Sequence, residues 1–262
     1  MPIDRSITDK HPQMLHEWPI LLAYRGSIAH GMYVAPSDPA GIDDKDVMGI
    51  CIPPMEYYYG MKEFGSRGTR EIKEGPWDIV LFELRKAMRM LAQGNPNILG
   101  TLWLEQQDYI LVTPVGRLLI ENRDLFVGKH VYNSFTGYAH GQLHRMTHGS
   151  YEGYMGEKRK GLVEKFGYDC KNGAHLIRLL RMGIEFLVTG RLQVKRPDAQ
   201  ELLKVKRGEW SLERVQREAD ALFGKAHDAL IASKLPDGVD REKINALCVR
   251  IAETWLDKKG AL

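Results

Sequence analysis

The chain has 262 residues, 37 of them basic and 34 acidic, so its formal net charge is +3. This balance excludes a prediction of nucleic-acid binding from bulk charge, and any basic surface must be local. The length allows a sizeable core, as one large domain or two small ones. The three cysteines lie far apart without a C-x-x-C spacing, which excludes a disulfide framework and a zinc knuckle.

The N-terminus carries charges where a signal peptide has its apolar segment, and no run of about 18 apolar residues occurs in the sequence. The cysteine usage fits a reducing compartment. We therefore expect a cytoplasmic protein without a membrane partner. No pattern in the sequence indicates its oligomeric state.

The first stretch with a functional pattern follows a polar, proline-containing arm of 19 residues. Residues 20–24 are apolar and predict a buried strand, which leads into a turn at Gly26 and Ser27. A short helix should follow and end at Gly31. Because glycine lets the backbone approach a phosphate, and successive amide groups at a helix start can bind it, Gly26 and Ser27 are candidate phosphate-binding residues.

An acidic cluster at the start of the next predicted strand supplies candidate metal ligands. Side chains alternate along a strand, so Asp44 and Asp46 should share one face, and Asp43 should point to the other as a spare carboxylate. Two adjacent carboxylates repel each other unless a cation lies between them, and such oxygen ligands suit Mg²⁺ or Mn²⁺. Asp38 competes for a place in this pair, but Pro39 follows it immediately, which favours Asp44 and Asp46.

Residues 53–75 are first aromatic and then rich in glycine and basic side chains. A mobile loop in solvent is one interpretation of this composition. The alternative is a lid whose Arg67 or Arg70 contacts a triphosphate.

A third candidate ligand lies on the apolar segment 77–82, which predicts a central strand of a mixed sheet. A carboxylate on a buried strand is costly unless it is paired or binds a metal, so Asp78 is a predicted ligand. Glu83 is the alternative, but it falls at the start of the next helix, where it complements the helix dipole. A phosphate-binding turn followed by these acids is the minimal apparatus for nucleotidyl transfer.

Helices dominate the second half of the chain. We therefore predict a catalytic domain at 1–114 and a helical domain at 115–262 that closes the nucleotide cleft. The helical domain also contains a row of three histidines on one predicted helix face. Two of them could bind zinc, but no acidic ligand lies beside them, so we interpret all three as surface or groove residues. They recur every four residues: His140, His144 and His148.

A helix that starts near residue 168 carries a cationic stripe beside its apolar face. Lys171, His175 and Arg178 stand at i, i+4 and i+7, with no acidic residue among them. Most charge stripes are solvated, but aligned cations gain nothing structurally from their alignment, and contact with a phosphate or a base explains them better. Arg181 and Glu185 on the same helix predict an ordinary i, i+4 ion pair.

The turn and the acids resemble the signature of the DNA polymerase β-type nucleotidyltransferase superfamily. Three further stretches resemble the predicted nucleotidyltransferases associated with RNA-ligase repair operons: DIVLFELRK from Asp78, GNPN from Gly94 and YDCKNGAHLIRLLR from Tyr168. The similarity spans roughly residues 20–215. It implies an α+β fold, in which a small mixed β-sheet nucleotidyltransferase core with flanking helices precedes a mainly α-helical C-terminal domain.

The resemblance also implies an activity, the transfer of a nucleoside monophosphate from an NTP to an acceptor hydroxyl. It assigns catalysis and the binding of two Mg²⁺ or Mn²⁺ ions to three acids: Asp44, Asp46 and Asp78. It assigns the nucleotide and its phosphates to five residues: Gly26, Ser27, Lys171, His175 and Arg178. The operon context favours an RNA 3′ end as the acceptor.

Three alternatives stay open on the sequence alone. The acceptor could be a small molecule or a protein side chain, as in antibiotic- or toxin-type nucleotidyltransferases. The chain could be a non-catalytic nucleotide- or RNA-binding module, although such a module has no reason to keep mutually repelling carboxylates. A helical scaffold with a chance Gly-Ser and Asp-x-Asp is the third. Relatives usually carry a glutamate where this chain has Gly100, so any role of that glutamate is absent or moved here.

Overall fold

The computed structural model of the chain describes residues 2–35, 43–148 and 157–258. Five strands lie in these ranges: β1 (Pro19–Tyr24), β2 (Lys45–Cys51), β3 (Thr69–Glu74), β4 (Trp77–Glu83) and β5 (Tyr109–Val112). The α-helices there are α1 (Arg5–Lys10), α2 (Gly26–Ala29), α3 (Leu84–Ala92), α4 (Pro96–Leu99), α5 (Pro114–Glu121), α6 (Val131–His148), α7 (Glu157–Phe166), α8 (Cys170–Thr189), α9 (Ala199–Lys206), α10 (Leu212–Ala232) and α11 (Arg241–Lys258).

The five strands form one mixed sheet in the order β3-β4-β2-β1-β5. β2 and β4 run parallel, and every other neighbouring pair is antiparallel. A helical region follows the sheet in sequence, so the α+β architecture implied by the resemblance is confirmed. The sequence pattern does not predict β3, because it is a mostly charged edge strand with a single buried residue, Ile72, and so lacks an apolar pattern.

The two faces of the sheet pack against different parts of the chain, because successive side chains of a strand point to opposite sides. Four residues of β2 and β4 join a large apolar cluster with helices that include α3, α5, α8 and α10: Met48, Ile50, Val80 and Phe82. The other face packs on the N-terminal arm in a smaller cluster. Asp46 and Asp78 follow the alternation of the first set, so they face the helices. The large cluster draws residues from both sides of position 114, and the domain boundary there stays a prediction.

Side-chain caps define where several helices begin. Ser211 and Asp240 accept hydrogen bonds from amides in the first turns of α10 and α11, as their positions in the sequence predict. Glu83 caps α3 by accepting from two amides. The sequence favours Asn97 as the cap of α4, but the cap is Asn95, which accepts from the Asn97 amide at 3.0 Å. The proline after Asn95 explains this start, because its fixed φ suits the first helical position.

Arg181 and Glu185 do not form the predicted ion pair. Glu185 instead binds Arg196, at 2.6 Å. The extended segment 190–197 leads into α9, and α9 packs on α8. This packing gives Arg181 and Glu185 partners from later in the chain, in place of each other. Arg181 contacts three carboxylates at 2.6–3.0 Å: Asp198, Glu201 and Glu218.

Two predicted features fall wholly or partly outside the described residues. Asp38 lies there, and so do residues 149–156 of a basic segment, 149–161, for which the composition predicts a flexible loop. Residues 157–161 belong to α7 instead. In the described ranges, no helix combines the length and the apolar character needed to cross a membrane.

Candidate active site

A cleft of about 400 Å³ separates the sheet from α8. It lies where β2 and β4 begin and where the β1–α2 turn ends the first strand. All eight residues that the sequence assigns to the site line this cleft: Gly26, Ser27, Asp44, Asp46, Asp78, Lys171, His175 and Arg178. The structure therefore brings together side chains up to about 150 positions apart in the sequence, while their chemical roles stay predictions.

Two of the three acids are neighbours on adjacent strands. Asp46 and Asp78 are Cα partners in the parallel pairing of β2 with β4. Such strands lie about 4.8 Å apart and paired residues point to the same side, so the two carboxylates stand side by side at the cleft. Asp44 precedes β2 and is exposed in the cleft.

The electrostatics of the cleft disfavour the ionised form of Asp46. The pKa of Asp46 is raised from its ordinary value of 3.8 to about 6, mainly by burial. The charges of Arg25 and Lys171 oppose this rise, and those of Asp78 and Asp44 add to it. Accumulated negative charge of this kind is relieved by a bound cation.

The donor set fits a divalent cation, although the ligands are not grouped around one point. Within residues 2–35, 43–148 and 157–258, no three carboxylate, histidine or cysteine side chains lie close enough together to hold an ion. The Nη2 atom of Arg25 lies 3.8 Å from Oδ1 of Asp78, so a cation of the protein already stands near this carboxylate. That Oδ1 is nevertheless buried without a hydrogen-bond partner. An all-oxygen set with an unsatisfied carboxylate oxygen suits Mg²⁺ or Mn²⁺.

The turn between β1 and α2 has the geometry of a phosphate-binding loop. Gly26 adopts a left-handed φ of +59°, and a Cβ atom at this position would lie 2.3 Å from Oδ2 of Asp46. Only glycine therefore lets the loop pass this close to the carboxylate. The hydroxyl of Ser27 is buried without a hydrogen-bond partner, which leaves a donor available to a ligand.

Replacing Gly26 by alanine is expected to weaken NTP binding about tenfold, because the new Cβ displaces the Asp46 carboxylate and the left-handed backbone becomes strained. Isothermal titration with an NTP and Mg²⁺ measures this loss. Gly224→Ala is the matched control, since Gly224 lies in α10 with open space around it. The control should bind NTP normally and gain stability from its better helix propensity; equal affinity in both variants would contradict the prediction.

Asp43 is not the spare carboxylate that the alternation predicts. It precedes β2, so strand geometry does not govern its direction, and only 2 % of its surface is exposed. Its Oδ2 accepts a hydrogen bond from the Val34 amide at 2.9 Å and a short one from Nζ of Lys206. Lys206 also donates to the carbonyl of Met32 at 3.0 Å, and Nζ of Lys171 lies 3.5 Å from Oδ1 of Asp43. This buried network joins the sheet to α8 and α9.

Arg178 is a buried cation whose charge is not neutralised. The residue is 7 % exposed. Its guanidinium donates to the sulfur of Met182 at 3.1 Å and forms no ion pair with any described residue. Burial, together with the charge of Arg196, lowers the pKa of Arg178 to about 9. An unpaired buried guanidinium beside a cleft points to an anionic ligand.

Sequence reasoning missed three basic residues of the cleft: Arg25, His30 and Lys206. Burial holds the pKa of His30 well below its ordinary value, and Arg178 lowers it further, so the ring is neutral. Its Nδ1 lies 2.9 Å from the carbonyl of Val194, to which a neutral ring must donate. Arg25 could have been assigned to the cleft because it stands next to Gly26. No local pattern indicates a role for Lys206, which is 163 residues from its partner Asp43.

The alternative assignment of Arg67 or Arg70 to a lid is wrong. Neither residue lines the cleft. Arg70 lies on the edge strand β3, where its guanidinium packs 5.2 Å from the ring centre of Phe64. The glycine-rich segment instead forms a turn and the edge strand β3, in which Arg70 pairs with Leu81, three residues along β4 from Asp78.

The histidines of α6 lie on the surface where they are described. His140 and His144 are exposed, and the ring of His140 stacks on Phe223 with 4.2 Å between centroids. This agrees with the surface or groove interpretation. The side chain of His148 lies outside the described part of the structure.

A sequence profile of RlaP, described as the RNA repair pathway DNA polymerase beta family, matches residues 9–250 of the chain. The match covers the whole sheet, α8 and every residue placed in the cleft. No protein of curated function matches the chain significantly.

Proposed function

Because the chain belongs to the RNA repair pathway DNA polymerase beta family, we propose that it transfers a nucleoside monophosphate from an NTP to the 3′ hydroxyl of an RNA. The reaction depends on two divalent cations, Mg²⁺ or Mn²⁺. The observation that carries this proposal is the register of β2 and β4, which sets Asp46 beside Asp78 in a cleft that also contains the Gly26–Ser27 turn.

The charges that line the cleft support the binding of two cations rather than one. Four carboxylates and four cationic side chains face it, so the protein alone is close to neutral there. A triphosphate adds about four negative charges, since each phosphate carries one or two. Two divalent cations restore the balance, whereas one leaves a net negative charge in a partly buried site.

Each group of cleft residues binds a different part of the reactants, according to its position. Bound cations supply Lewis-acid polarisation of the phosphate and lower the pKa of the attacking hydroxyl, and Asp44, Asp46 and Asp78 hold them. The backbone amides at Gly26 and the hydroxyl of Ser27 bind phosphate oxygens from the sheet side. The stripe of α8 approaches from the opposite wall and binds the nucleotide: Lys171, His175 and Arg178. The NTP is thereby oriented between two rigid elements.

A non-catalytic nucleotide-binding module is the second candidate. Arg25 lies near Asp78, and the acids are not grouped around one ion in the described residues, which is the arrangement expected of a site that binds NTP without metal. Such a module would bind NTP equally well with Mg²⁺ or with EDTA.

The test is transfer of label. Purified protein is incubated with α-labelled NTPs, Mg²⁺ and short RNAs that end in a free 3′ hydroxyl, in parallel with the Asp44→Asn plus Asp46→Asn protein. The proposal requires label on the RNA with wild type alone and none with EDTA. Equal labelling by both proteins would refute it, label on a small molecule or a protein would replace the acceptor, and metal-independent NTP binding without label would establish the module.

Arg178→Met is expected to raise the Kd for NTP at least tenfold while stabilising the free protein, because the variant removes an unpaired buried charge that only the ligand neutralises. Arg181→Met is the matched control on the same helix. Arg181 has three carboxylate partners, so its loss should cost about 2 kcal/mol of folding free energy and leave the Kd unchanged. Titration calorimetry and thermal unfolding of both variants check this; a destabilised Arg178→Met protein with normal Kd would contradict it.

A further inference from the structure

A second groove lies away from the cleft. It has a volume of about 500 Å³ and runs between the turn before β3 and the exposed face of α3. β4 extends from Asp78 in the cleft to Glu83 in the groove, so the two sites are roughly 17 Å apart. No residue lines both of them. A ligand of the groove therefore contacts none of the residues that line the cleft.

The groove has a local excess of basic side chains. Five basic side chains and two carboxylates line it, which leaves +3, the same value as the formal charge of the entire chain. Two of the basic side chains, Lys62 and Arg85, are already paired with carboxylates. The other three form no ion pair with any described residue: Arg67, Lys86 and Arg89. Like charges concentrated in this way are destabilising unless they bind an anion.

The backbone at Arg67 is strained, and the sequence keeps a large cation there. Ser66 and Thr69 exchange both backbone hydrogen bonds at 3.0 Å, which closes a two-residue turn. Its central residues have positive φ, 50° at Arg67 and 77° at Gly68, as a type I′ turn requires. Asparagine or glycine is favoured at the first of these positions, and Arg67 is the only described non-glycine residue with positive φ. An arginine therefore occupies a strained backbone position where the turn lines the groove.

Exposed aromatic and apolar side chains lie in a loop that also supplies lining residues of the groove. Tyr59 is 83 % exposed and Met61 is fully exposed, in the loop between the lining residues Tyr57 and Lys62. A freely exposed tyrosine in a loop of a groove that holds cations without partners matches the way proteins hold single-stranded nucleic acid, whose phosphates need cations and whose bases need flat apolar surfaces. An acidic peptide would use the cations but not the tyrosine.

We propose that this groove binds single-stranded nucleic acid, with Tyr59 stacked on a base and the phosphates bound by Arg67, Lys86 and Arg89. The binding goes beyond the proposed transfer reaction, because it needs neither NTP nor metal. It gives the protein a means of holding a strand outside the cleft.

Fluorescence anisotropy with a labelled 12-nucleotide RNA, in EDTA and without NTP, tests the proposal. Neutralising the three unpaired cations, as Arg67→Gln, Lys86→Gln and Arg89→Gln, should raise the Kd at least tenfold and lower the slope of log Kd against log salt by about 2. The matched control neutralises three exposed cations on the helical side: Lys204, Lys225 and Lys234. It has the same net charge and should bind like wild type; an equal loss in both proteins would overturn the proposal.

Two single variants separate a built site from a merely basic patch. Arg67→Asn should weaken RNA binding threefold or more while raising the melting temperature by about 1–2 °C, because asparagine relieves the turn. Tyr59→Ala should raise the Kd for single-stranded RNA at least fivefold but leave the Kd for heparin unchanged. Wild type that binds heparin or duplex RNA as tightly as the single strand, or a Tyr59→Ala protein with unaltered RNA affinity, would refute the assignment.

Discussion

Asp46→Asn is expected to reduce nucleotide transfer about a thousandfold and, at the same time, to make the free protein more stable. The loss follows because an amide is a poor ligand for Mg²⁺ and removes a charge that balances the bound cations. The gain follows because burial and two neighbouring carboxylates already disfavour the ionised form of Asp46, whose pKa is raised to about 6. Screening in a partly exposed cleft reduces this gain to about 2 kcal/mol.

The dependence on pH identifies Asp46 as the source of this gain. The native carboxyl, with a pKa of about 6, holds its proton more tightly than the unfolded one at 3.8. Between those values the native state binds more protons, so the free energy of unfolding contributed by this group falls as pH rises from about 4 to 6. The Asp46→Asn protein should lack this fall, and cation binding to wild type should weaken as pH drops below about 6.

Urea unfolding in EDTA at several pH values, together with transfer assays, measures both effects. Asp228→Asn, an exposed carboxylate on α10, is the control for a generic change of charge and should alter neither quantity. A less stable Asp46→Asn protein, or one that keeps its activity, would show that the carboxylate is not held under electrostatic strain at a cation site.

The cleft is predictable from the sequence to the extent that local pattern determines side-chain direction. The apolar run before Gly26, the alternation through Asp46 and the lone acid Asp78 on a buried strand each carry their own signal, and the strand register then brings them together. The i, i+4, i+7 spacing of the cationic stripe likewise indicates which face of α8 meets the cleft, because residues at these intervals lie on one side of a helix.

Local pattern fails where the partner is distant in sequence. Asp43 resembles an outward-facing acid because the residue that neutralises it, Lys206, lies at the end of α9, which has no diagnostic motif. Arg181 likewise finds its partners in later segments rather than one turn away. The charged edge strand β3 has no apolar alternation, so its segment resembles a loop. In each case tertiary packing selects a partner that spacing alone cannot indicate.

Lys206→Met is expected to destabilise the protein by about 3 kcal/mol, which corresponds to a fall in melting temperature of roughly 10 °C. Removing the ammonium group leaves Asp43 buried with the Val34 amide and the more distant Lys171 as its remaining partners. Burial lowers the pKa of Lys206 despite the attraction of Asp43, so the pair as a whole contributes little stability. The pair instead fixes the position of α9 against the start of β2.

A double-mutant cycle with Asp43→Asn tests this account. The doubly substituted protein should recover most of the loss, with a coupling energy above about 1.5 kcal/mol, because neither charge is then left alone in the interior. NTP affinity should follow the same pattern. In the Lys206→Met protein, Asp43 is neutralised by Lys171 alone, which draws Lys171 away from the nucleotide and weakens NTP binding. In the double variant Lys171 is free to bind the nucleotide again, so NTP affinity should recover. Lys204→Met, exposed on the same helix, should change stability by less than about 0.5 kcal/mol. If the losses of folding free energy in the cycle are additive, Asp43 and Lys206 are not a coupled pair. The position of Lys171 is then determined by α8 alone.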